Sequence, residues 1–292
     1  MCQPSDLKLG RSIAEGAFAE VFRALLWGQR VAVKRLMTER EGVDAESLRR
    51  ELLHETRLLS RLSHPCIITV IGYTTSPAQL ILEVLNGTSY DLARGFYNGS
   101  APSTALLEPL VDLLAGCAYL HARSPPILHR DLKPPNVLHD ARGRCKLCDF
   151  GTAIELPPTA PRPTEWIGSQ LYIALEVDRQ EAYGLPADVF SFGVLAYELF
   201  VLCGTGIDYY GEGDMFDGGG LVDGLETVRG PLVAEPQELP PRPSACDVDA
   251  VWQLLCACMR AKPSARPSFA EVAVSLSEVQ RASPGASADE WL

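Results

Sequence analysis

The chain opens with hydrophobic and polar residues in patterns typical of β-strands. The strand-like runs are short and apolar or alternating, and there are five of them: 7–13, 21–26, 31–36, 66–73 and 79–85. Residues 45–62 instead repeat leucines at helical spacing, which predicts one amphipathic helix. His64-Pro65 is expected to end it, because the residue before a proline avoids the helical region. The first 85 residues therefore predict a small mixed unit with five strands and one helix.

From residue 86 onward the pattern becomes mainly helical. Apolar residues recur at three- and four-residue spacing in four segments: 104–122, 187–203, 248–261 and 268–281. Two further segments are predicted to be loops, one rich in glycine and one in proline: 204–220 and 230–246. A chain of 292 residues is too long for most single hydrophobic cores. We therefore expect an α+β protein with two domains, residues 1–85 and 86–292.

Composition and charge narrow the expected partners and location. The net charge of −11 argues against nucleic acid or an anionic membrane as the main partner. The nine cysteines are odd in number and lie mostly in apolar segments, which indicates reduced intracellular thiols. The N-terminus lacks the basic and apolar regions of a signal peptide, and the longest apolar stretch, 190–203, is too short to span a bilayer and carries Glu198. We expect a cytoplasmic protein that binds neither nucleic acid nor membrane.

The residues most informative about chemistry lie in two motifs that are close together in the chain, H-R-D-L-K-P-P-N and D-F-G. Asp131 is a candidate proton acceptor for a hydroxyl group, and Lys133 is a cation suited to a phosphate in transfer. Asn136 and Asp149 offer oxygen atoms, which Mg²⁺ prefers as ligands together with phosphates and water. Phosphoryl transfer relies mainly on positioning and charge neutralisation, so these residue types match its needs.

The two motifs resemble the catalytic loop and the metal-binding loop of the eukaryotic protein kinases. The resemblance extends to V-A-V-K, which ends at Lys34; in this family that lysine holds the α- and β-phosphates of ATP and pairs with a helix glutamate. Glu51 and Glu55 are the candidates for the partner, and the distance from Glu55 to His64-Pro65 is the usual one in the family. The resemblance implies a bilobal kinase fold with ATP and Mg²⁺ as cofactors. It implies catalytic roles for Asp131, Lys133, Lys34 and Glu55, and metal ligation by Asn136 and Asp149.

The same resemblance implies a nucleotide site between the two lobes. The segment I-A-E-G-A-F-A-E-V stands where kinases have a glycine-rich loop, but Ala14 and Ala19 replace two glycines and only Gly16 remains. A positive φ forced on alanine costs about 1 kcal/mol, so a weaker loop is expected. The segment Q-L-I-L-E-V-L resembles the last strand and the hinge, with Leu82 in front of the back pocket. The residues expected to bind the nucleotide are Ile13, Gly16, Val21, Ala32, Lys34, Glu83, Leu85 and Leu138.

The segment from Asp149 to Glu176 is similar to a kinase activation segment. In the family, an arginine that precedes the catalytic aspartate often binds a phosphate on this segment, because guanidinium pairs well with phosphate. Arg130 therefore predicts phosphorylation of Thr159 or Thr164 by an upstream kinase. The alternative is a purely structural role for this arginine.

Three residues of the larger lobe extend the resemblance. Glu176, in A-L-E, and Arg266 are expected to form a buried salt bridge, because a buried charge without a partner is costly. Leu175 stands where kinases have proline and is a departure from the pattern. Asp188, which opens D-V-F-S-F-G, resembles the aspartate that anchors the backbone of the catalytic loop.

The acceptor class can also be predicted. Lys133 within D-L-K-P-P-N and the position of Ser169 are typical of serine/threonine kinases, and D-V-F-S-F-G-V with R-P-S-F-A-E-V resembles the tyrosine-kinase-like group. The expected reaction is transfer of the ATP γ-phosphoryl group to serine or threonine of a protein substrate. The alternative is a pseudokinase that serves as a scaffold, which Ala14, Ala19 and Leu175 favour. A small-molecule kinase is a further, weaker alternative.

Overall fold

The computed structural model describes residues 2–16, 19–37, 44–98, 103–205 and 240–282. The N-terminal part contains an antiparallel sheet in the order β1-β2-β3-β5-β4. Its strands are β1 (Leu7–Glu15), β2 (Ala19–Leu26), β3 (Gln29–Leu36), β4 (Val70–Thr75) and β5 (Ala78–Leu82). Helix α1 (Ala45–Leu59) follows β3. The five strands and single helix predicted for this region are confirmed.

Strand register places several predicted nucleotide-site residues on one face of this sheet. Val21 of β2 pairs with Lys34 of β3, which also pairs with Leu80 of β5. Ala32 pairs with Leu82. Because alternate residues of a strand share a face, these five side chains lie on the same side of the sheet. The opposite face carries a separate, smaller apolar cluster.

Helix α1 buries the side predicted from its leucine spacing. The buried side chains include three leucines of that pattern and one carboxylate, Glu55. The helix is capped by Asp44, whose side chain accepts a hydrogen bond of 3.1 Å from the backbone N–H of Glu46. It ends at Leu59, earlier than the predicted boundary at residue 62, and a turn connects it to His64-Pro65.

The predicted strand 66–73 is wrong in its first half. Strand β4 begins at Val70, and the apolar run before it pairs with Leu147 instead. The backbone N–H of Leu147 donates to the carbonyl oxygen of Cys66 at 2.9 Å, and the backbone N–H of Ile68 donates to the carbonyl oxygen of Leu147 at 3.0 Å. Residues 66–68 are apolar because they are buried where they connect the small sheet to Leu147.

The remaining described residues are mainly helical. The helices are α2 (Ser89–Asn98), α3 (Leu107–His121), α4 (Leu175–Asp178), α5 (Pro186–Thr205), α6 (Asp249–Cys258) and α7 (Phe269–Ala282). The short strands are β6 (Gly87–Thr88), β7 (Ile127–Leu128), β8 (Val137–His139), β9 (Cys145–Leu147) and β10 (Ile154–Glu155). The α+β class with a small sheet-containing lobe and a larger helical lobe is confirmed. A domain boundary at residue 85 stays a prediction.

Helix α2 was not predicted, because S-Y-D-L-A-R-G-F-Y-N mixes polar residues with a glycine and shows no long apolar repeat. The helix predicted to begin at residue 104 starts at Leu107, after a short 3₁₀ turn. The glycine-rich loop predicted over 204–220 lies outside the described residues from 206 onward. The proline-rich connection predicted over 230–246 is described only from residue 240.

Helix α5 is the central helix of the larger lobe. It is long and apolar enough to cross a bilayer by length and composition, yet 94% of its most apolar window is buried inside the protein. The prediction of a core helix over 190–203 is confirmed. All nine cysteines are free thiols, and eight of them are buried.

Candidate active site

The first part of the site is the catalytic loop, where three side chains meet around Asp131. Asp131 Oδ2 accepts a hydrogen bond from Asn136 Nδ2 at 2.9 Å and lies 2.9 Å from Lys133 Nζ. Its other oxygen accepts a hydrogen bond of 2.8 Å from Ser169 Oγ. Lys133 Nζ also donates to Ser169 Oγ at 2.7 Å. A carboxylate, an ammonium group and a hydroxyl thus share one small, partly buried polar cluster.

The loop is held in this conformation by Asp188 of α5. Its two carboxylate oxygens accept the backbone N–H groups of His129 at 2.8 Å and Arg130 at 2.9 Å, and His121 Nε2 lies 3.1 Å away. Arg130 has a φ of +68°, a strained conformation for a residue with a side chain, so the loop depends on such anchoring. Although burial opposes its charge, the hydrogen bond and charge of His121 lower the pKa of Asp188 below its ordinary value.

The second part of the site joins the small sheet, α1 and the D-F-G motif. Lys34 Nζ lies 2.8 Å from Glu55 Oε2 and 2.8 Å from Asp149 Oδ1. The other oxygen of Glu55 accepts the backbone N–H of Phe150 at 3.2 Å. Glu51, one turn earlier in α1, is exposed, whereas Glu55 is buried and pairs with Lys34, as its spacing from His64-Pro65 favoured.

This second cluster carries fixed charges. Burial alone would lower the pKa of Lys34, but the adjacent carboxylates of Glu55 and Asp149 outweigh it and raise the pKa above its usual value. Burial opposes the charge of Asp149 as well, yet the ion pair with Lys34 lowers its pKa. Lys34 is therefore a cation and Asp149 an anion at neutral pH. Asp149 has a φ of +56°, which aspartate tolerates better than most residues.

The residues predicted to bind Mg²⁺ have suitable atoms available. Asn136 uses its Nδ2 group to donate to Asp131, so its Oδ1 is left as a ligand. Asp149 uses Oδ1 for Lys34, and its Oδ2 bonds no other residue that the structure describes. The two residues are neighbours, because the backbone N–H of Cys148 donates to the carbonyl of Asn136 at 2.9 Å. Two protein oxygens fit Mg²⁺, which usually completes its coordination with phosphate and water and is seldom held by an all-protein cage.

The predicted apolar walls of the nucleotide site belong to the main core cluster. Ala32 is part of that cluster, and Val21, Leu85 and Leu138 pack against it. Ile13 of β1 is 42% exposed and lies outside the cluster. Strand pairing places Val21 and Ala32 on the face of the sheet that carries Lys34, Leu85 and Leu138 pack against the same core cluster, and Ile13 stays outside it.

The two alanines that replace glycines near the ends of β1 and β2 are less strained than expected, whereas residues 17 and 18 of the predicted loop lie outside the described residues. Ala14 lies in β1 opposite Val21, and Ala19 lies in β2 opposite Leu36. Neither has a positive φ, so the predicted cost of about 1 kcal/mol for a left-handed alanine does not arise. The backbone N–H of Gly16 donates to the carbonyl of Ala19, the first residue of β2, at 2.8 Å.

The hinge presents main-chain groups. The Glu83 side chain points away to Lys146 Nζ at 2.7 Å and accepts the backbone N–H of Thr69 at 2.8 Å. The Glu83 N–H is also used, by the carbonyl of Thr69 at 3.0 Å. Among the residues that the structure describes, neither the Glu83 carbonyl nor the Leu85 N–H has a hydrogen-bonding partner outside regular strands and helices.

The surroundings of Arg130 differ from the predicted ones. Its Nη1 lies 2.5 Å from Glu165 Oε1, and neither Thr159 nor Thr164 bonds its guanidinium. Both threonines are exposed, so their phosphorylation stays a prediction. Backbone N–H groups and Arg130 lower the pKa of Glu165, which is therefore ionised at neutral pH.

The salt bridge expected in the larger lobe is present. Arg266 Nη1 and Nη2 lie 2.6 and 2.9 Å from the two carboxylate oxygens of Glu176, a bidentate pair. The Arg266 side chain is 0% exposed and that of Glu176 is 5% exposed. Leu175, which stands in place of proline, begins the short helix α4 and is buried.

Comparison with known families decides the classification. The family model described as "Protein kinase domain" matches residues 7–275, which is almost the entire described part of the chain. The chain belongs to the protein kinase family. The Lys34, Glu55 and Asp149 cluster and the Asp131 cluster both lie within the matched residues.

The kinase domain has curated relatives in plants and animals. It is 37% identical over 201 residues, 68% of this chain, to Serine/threonine-protein kinase CTR1 of Arabidopsis thaliana. It is 34% identical to Mitogen-activated protein kinase kinase kinase 10 of Mus musculus over 94% of this chain, and 30% identical to Mitogen-activated protein kinase kinase kinase 7 of Bos taurus over 96%. The chain spans 24%, 28% and 45% of the lengths of these three proteins.

Sequence reasoning missed one group of residues in this kinase domain, the side chains and carbonyls around Arg130. Glu165 follows Thr164 directly, and an acidic residue within the activation segment was the available signal. No sequence signal pointed to Thr152 or Tyr183. Thr152 contributes only its backbone carbonyl oxygen, and Tyr183 lies after α4, far from Arg130 in the sequence.

Proposed function

We propose that the protein is an ATP-dependent protein serine/threonine kinase. The observation that carries the proposal is the Asp131 cluster: one carboxylate oxygen accepts a serine hydroxyl at 2.8 Å and the other lies 2.9 Å from Lys133 Nζ. A hydroxyl at hydrogen-bond distance from a carboxylate is the arrangement a general base requires. Lys34 supplies a positive charge for a triphosphate, and Asp149 supplies a carboxylate for the Mg²⁺ that accompanies it.

Each residue has a defined task in the proposed reaction. Lys34, held by Glu55, binds the α- and β-phosphates. The hydroxyl group of the substrate approaches Asp131 as the Ser169 hydroxyl does in this structure. Asp131 orients the substrate hydroxyl and accepts its proton. Lys133 stabilises the negative charge of the γ-phosphoryl group during transfer. Turnover by such kinases is about 1–100 s⁻¹.

Asn136 and Asp149 would hold Mg²⁺ through their free oxygens. When bound there, Mg²⁺ neutralises charge on the phosphate oxygens of ATP. The hinge at Glu83 and Leu85 would offer its carbonyl and N–H to adenine, while Val21, Ala32 and Leu138 would cover the base with apolar surface. ATP with Mg²⁺ fits this donor set, because the oxygens are few and the carboxylate is already ionised.

Two observations support serine and threonine as acceptors. Lys133 and Ser169 bond each other and Asp131, so the polar cluster beside the base is compact and suited to a short aliphatic hydroxyl. Relatives that cover most of this chain are named as serine/threonine kinases or mitogen-activated protein kinase kinase kinases. The substrate of this chain is a protein, and a mitogen-activated protein kinase kinase is one class to examine.

The pseudokinase alternative has lost its main support. Ala14 and Ala19 lie in strands without backbone strain, and Leu175 is packed in the core next to the intact Glu176–Arg266 pair.

We also place the protein in the cytoplasm, supported by its nine free cysteines, and expect an upstream protein partner rather than nucleic acid or membrane.

The test is phosphotransfer to a generic basic protein with Mg·ATP, followed by mapping of modified residues by mass spectrometry. Asp131→Asn is the inactive control, and Glu278→Gln, which removes an exposed carboxylate on α7, is the matched surface control. Phosphoserine or phosphothreonine formed by the wild type and Glu278→Gln, but not by Asp131→Asn, is the expected result. Wild-type turnover by Asp131→Asn, or exclusive formation of phosphotyrosine, would contradict the proposal.

A further inference from the structure

Arg130 lies at a junction of three segments beside the catalytic Asp131. Its Nε donates to the carbonyl of Thr152 at 2.6 Å, just after the D-F-G motif, and its Nη1 donates to Tyr183 OH at 3.2 Å. The same Nη1 lies 2.5 Å from Glu165 Oε1, late in the activation segment. The side chain of Arg130 is only 8% exposed.

The buried guanidinium needs a negative partner, and Glu165 supplies it. A buried cation without a counter-ion is strongly destabilising. Within the described ranges, no other carboxylate lies within ion-pair distance of the Arg130 guanidinium. The contact with Thr152 is to a neutral carbonyl and the contact with Tyr183 is to a phenol, so neither replaces the charge of Glu165.

The ion pair acts close to the reacting groups. Glu165 lies four residues before Ser169, whose hydroxyl bonds Asp131, and Gly168 between them has a φ of +103°. A Cβ at Gly168 would collide with the carbonyl oxygen of Arg130, so the two backbones are in direct contact there. Holding Glu165 on Arg130 therefore fixes the approach of the activation segment to the catalytic loop.

A phosphate on Thr164 would compete with this arrangement. The backbone N–H of Thr164 donates to Glu165 Oε2 at 3.1 Å, so the two residues are adjacent to the same cation. Phosphate adds a charge of about −1.5 to −2, and like charges at one guanidinium repel. Thr159 is exposed, and its side chain bonds none of the residues around Arg130.

We propose that Glu165 is a positioning residue that takes the place of an activation-segment phosphate, so that this kinase is active without phosphorylation of Thr159 or Thr164. The carboxylate pairs with Arg130, orders residues 165–169 and places Ser169 and Lys133 around Asp131. The inference rests on the proposed kinase function and concerns its regulation.

The test uses protein produced together with a phosphatase and shown by intact mass to carry no phosphate. Thr159→Ala/Thr164→Ala serves as the background, so that autophosphorylation at these sites cannot interfere. Glu165→Gln, Glu165→Asp and Glu181→Gln are added to it; Glu181 is an exposed glutamate of the same lobe without an ion pair to any described residue. The kcat and the KM values for peptide and for ATP are measured for each variant.

The background is expected to keep the activity of the wild type within about twofold, because surface threonine side chains away from such contacts matter little. Glu165→Gln should lower kcat by about 10- to 100-fold, the effect of losing one hydrogen bond between charged groups. The KM for ATP should not change, because Lys34 and Glu55 do not touch this region. Glu165→Asp should recover part of the loss, and Glu181→Gln should equal the background.

Two results would overturn the inference: unchanged kcat in Glu165→Gln, or an inactive phosphate-free wild type that gains more than about tenfold on phosphorylation of Thr159 or Thr164. The second result would leave the kinase function intact. No phosphotransfer in either state would contradict both proposals. If thermal unfolding shows that Glu165→Gln is not folded, Glu165→Asp decides, since a normal kcat in that variant with its shorter reach contradicts the proposed geometry.

Discussion

Removing the negative charge of Glu176 should lower the thermal stability of the protein strongly. The substitution Glu176→Gln keeps the size of the side chain and one oxygen acceptor but leaves the guanidinium of Arg266 buried without a counter-ion. That guanidinium is fully buried, and its remaining partners are the carbonyls of Pro186, Arg260 and Ala261. Neutral carbonyls cannot replace a carboxylate that was bound at 2.6 and 2.9 Å.

The magnitude follows from the burial of the pair. Breaking a buried ion pair by removing one partner costs about 3–5 kcal/mol. For a domain of this size class each kcal/mol shifts Tm by about 2–4 °C, so Glu176→Gln should lower Tm by about 6–20 °C. Exposed Glu278 on α7 has no such partner among the described residues, and Glu278→Gln should leave Tm nearly unchanged.

Thermal unfolding followed by circular dichroism, on phosphate-free protein at pH 7, measures both variants. A cycle with Arg266→Met separates the pair from its surroundings: the double variant should lose less stability than the two single variants together, with a coupling of about 0.5–3 kcal/mol. Equal Tm values for Glu176→Gln and Glu278→Gln, or additive losses in the cycle, would refute the reasoning.

Three further results are expected. Lys34→Met should reduce turnover by at least about 100-fold while the protein stays folded, because one preorganised charge at the phosphates is lost; steady-state kinetics and circular dichroism check this. Gly168→Ala should destabilise by about 1–3 kcal/mol in urea unfolding and lower kcat, because the left-handed φ and the contact with the Arg130 carbonyl both exclude a Cβ; equal stability would contradict this. Asp188→Asn should cost about 1.5–3 kcal/mol at pH 7. The difference from wild type should shrink as the pH falls below about 4, because the stabilisation by a carboxyl whose pKa is lowered on folding is complete above its unfolded pKa and is lost as the pH falls through its folded pKa. A difference that stays constant down to pH 2 in denaturant titrations would contradict the last expectation.

The sequence identified the residues of the site better than their surroundings. Asp131, Lys133 and Asn136 lie within six residues, so a local motif already specifies that they meet. Lys34 and Asp149 are far apart in the chain; the family resemblance assigned both to the nucleotide site, but their contact of 2.8 Å was not predicted. The choice of Glu55 over Glu51 followed from the spacing to His64-Pro65 that is usual in the family, because both glutamates lie on one face of α1 and helix periodicity alone cannot separate them.

Features that depend on tertiary contacts were predicted less well. The apolar run 66–68 resembles a strand, but Cys66 and Ile68 form backbone hydrogen bonds to Leu147, and no local pattern reveals that partner. Helix α2 was missed because its polar and small residues are helical through packing rather than propensity. For Arg130 the sequence left two possibilities open, a phosphate on the activation segment or a purely structural role. It could not identify Glu165 as the partner, because the sequence does not show which anion the fold brings to the guanidinium.

The hinge at Glu83 and Leu85 offers a bound base only main-chain groups, and this limits which substitutions can change what the site binds. The Glu83 side chain is occupied by Lys146 and the Thr69 N–H, so the groups left to face a bound base belong to the backbone. No amino-acid replacement other than proline removes a backbone N–H, and none removes a carbonyl. Variants that escape a competitive inhibitor are therefore expected to alter the size of the side chain at Leu82 or Ala32, and to keep their affinity for the natural nucleotide.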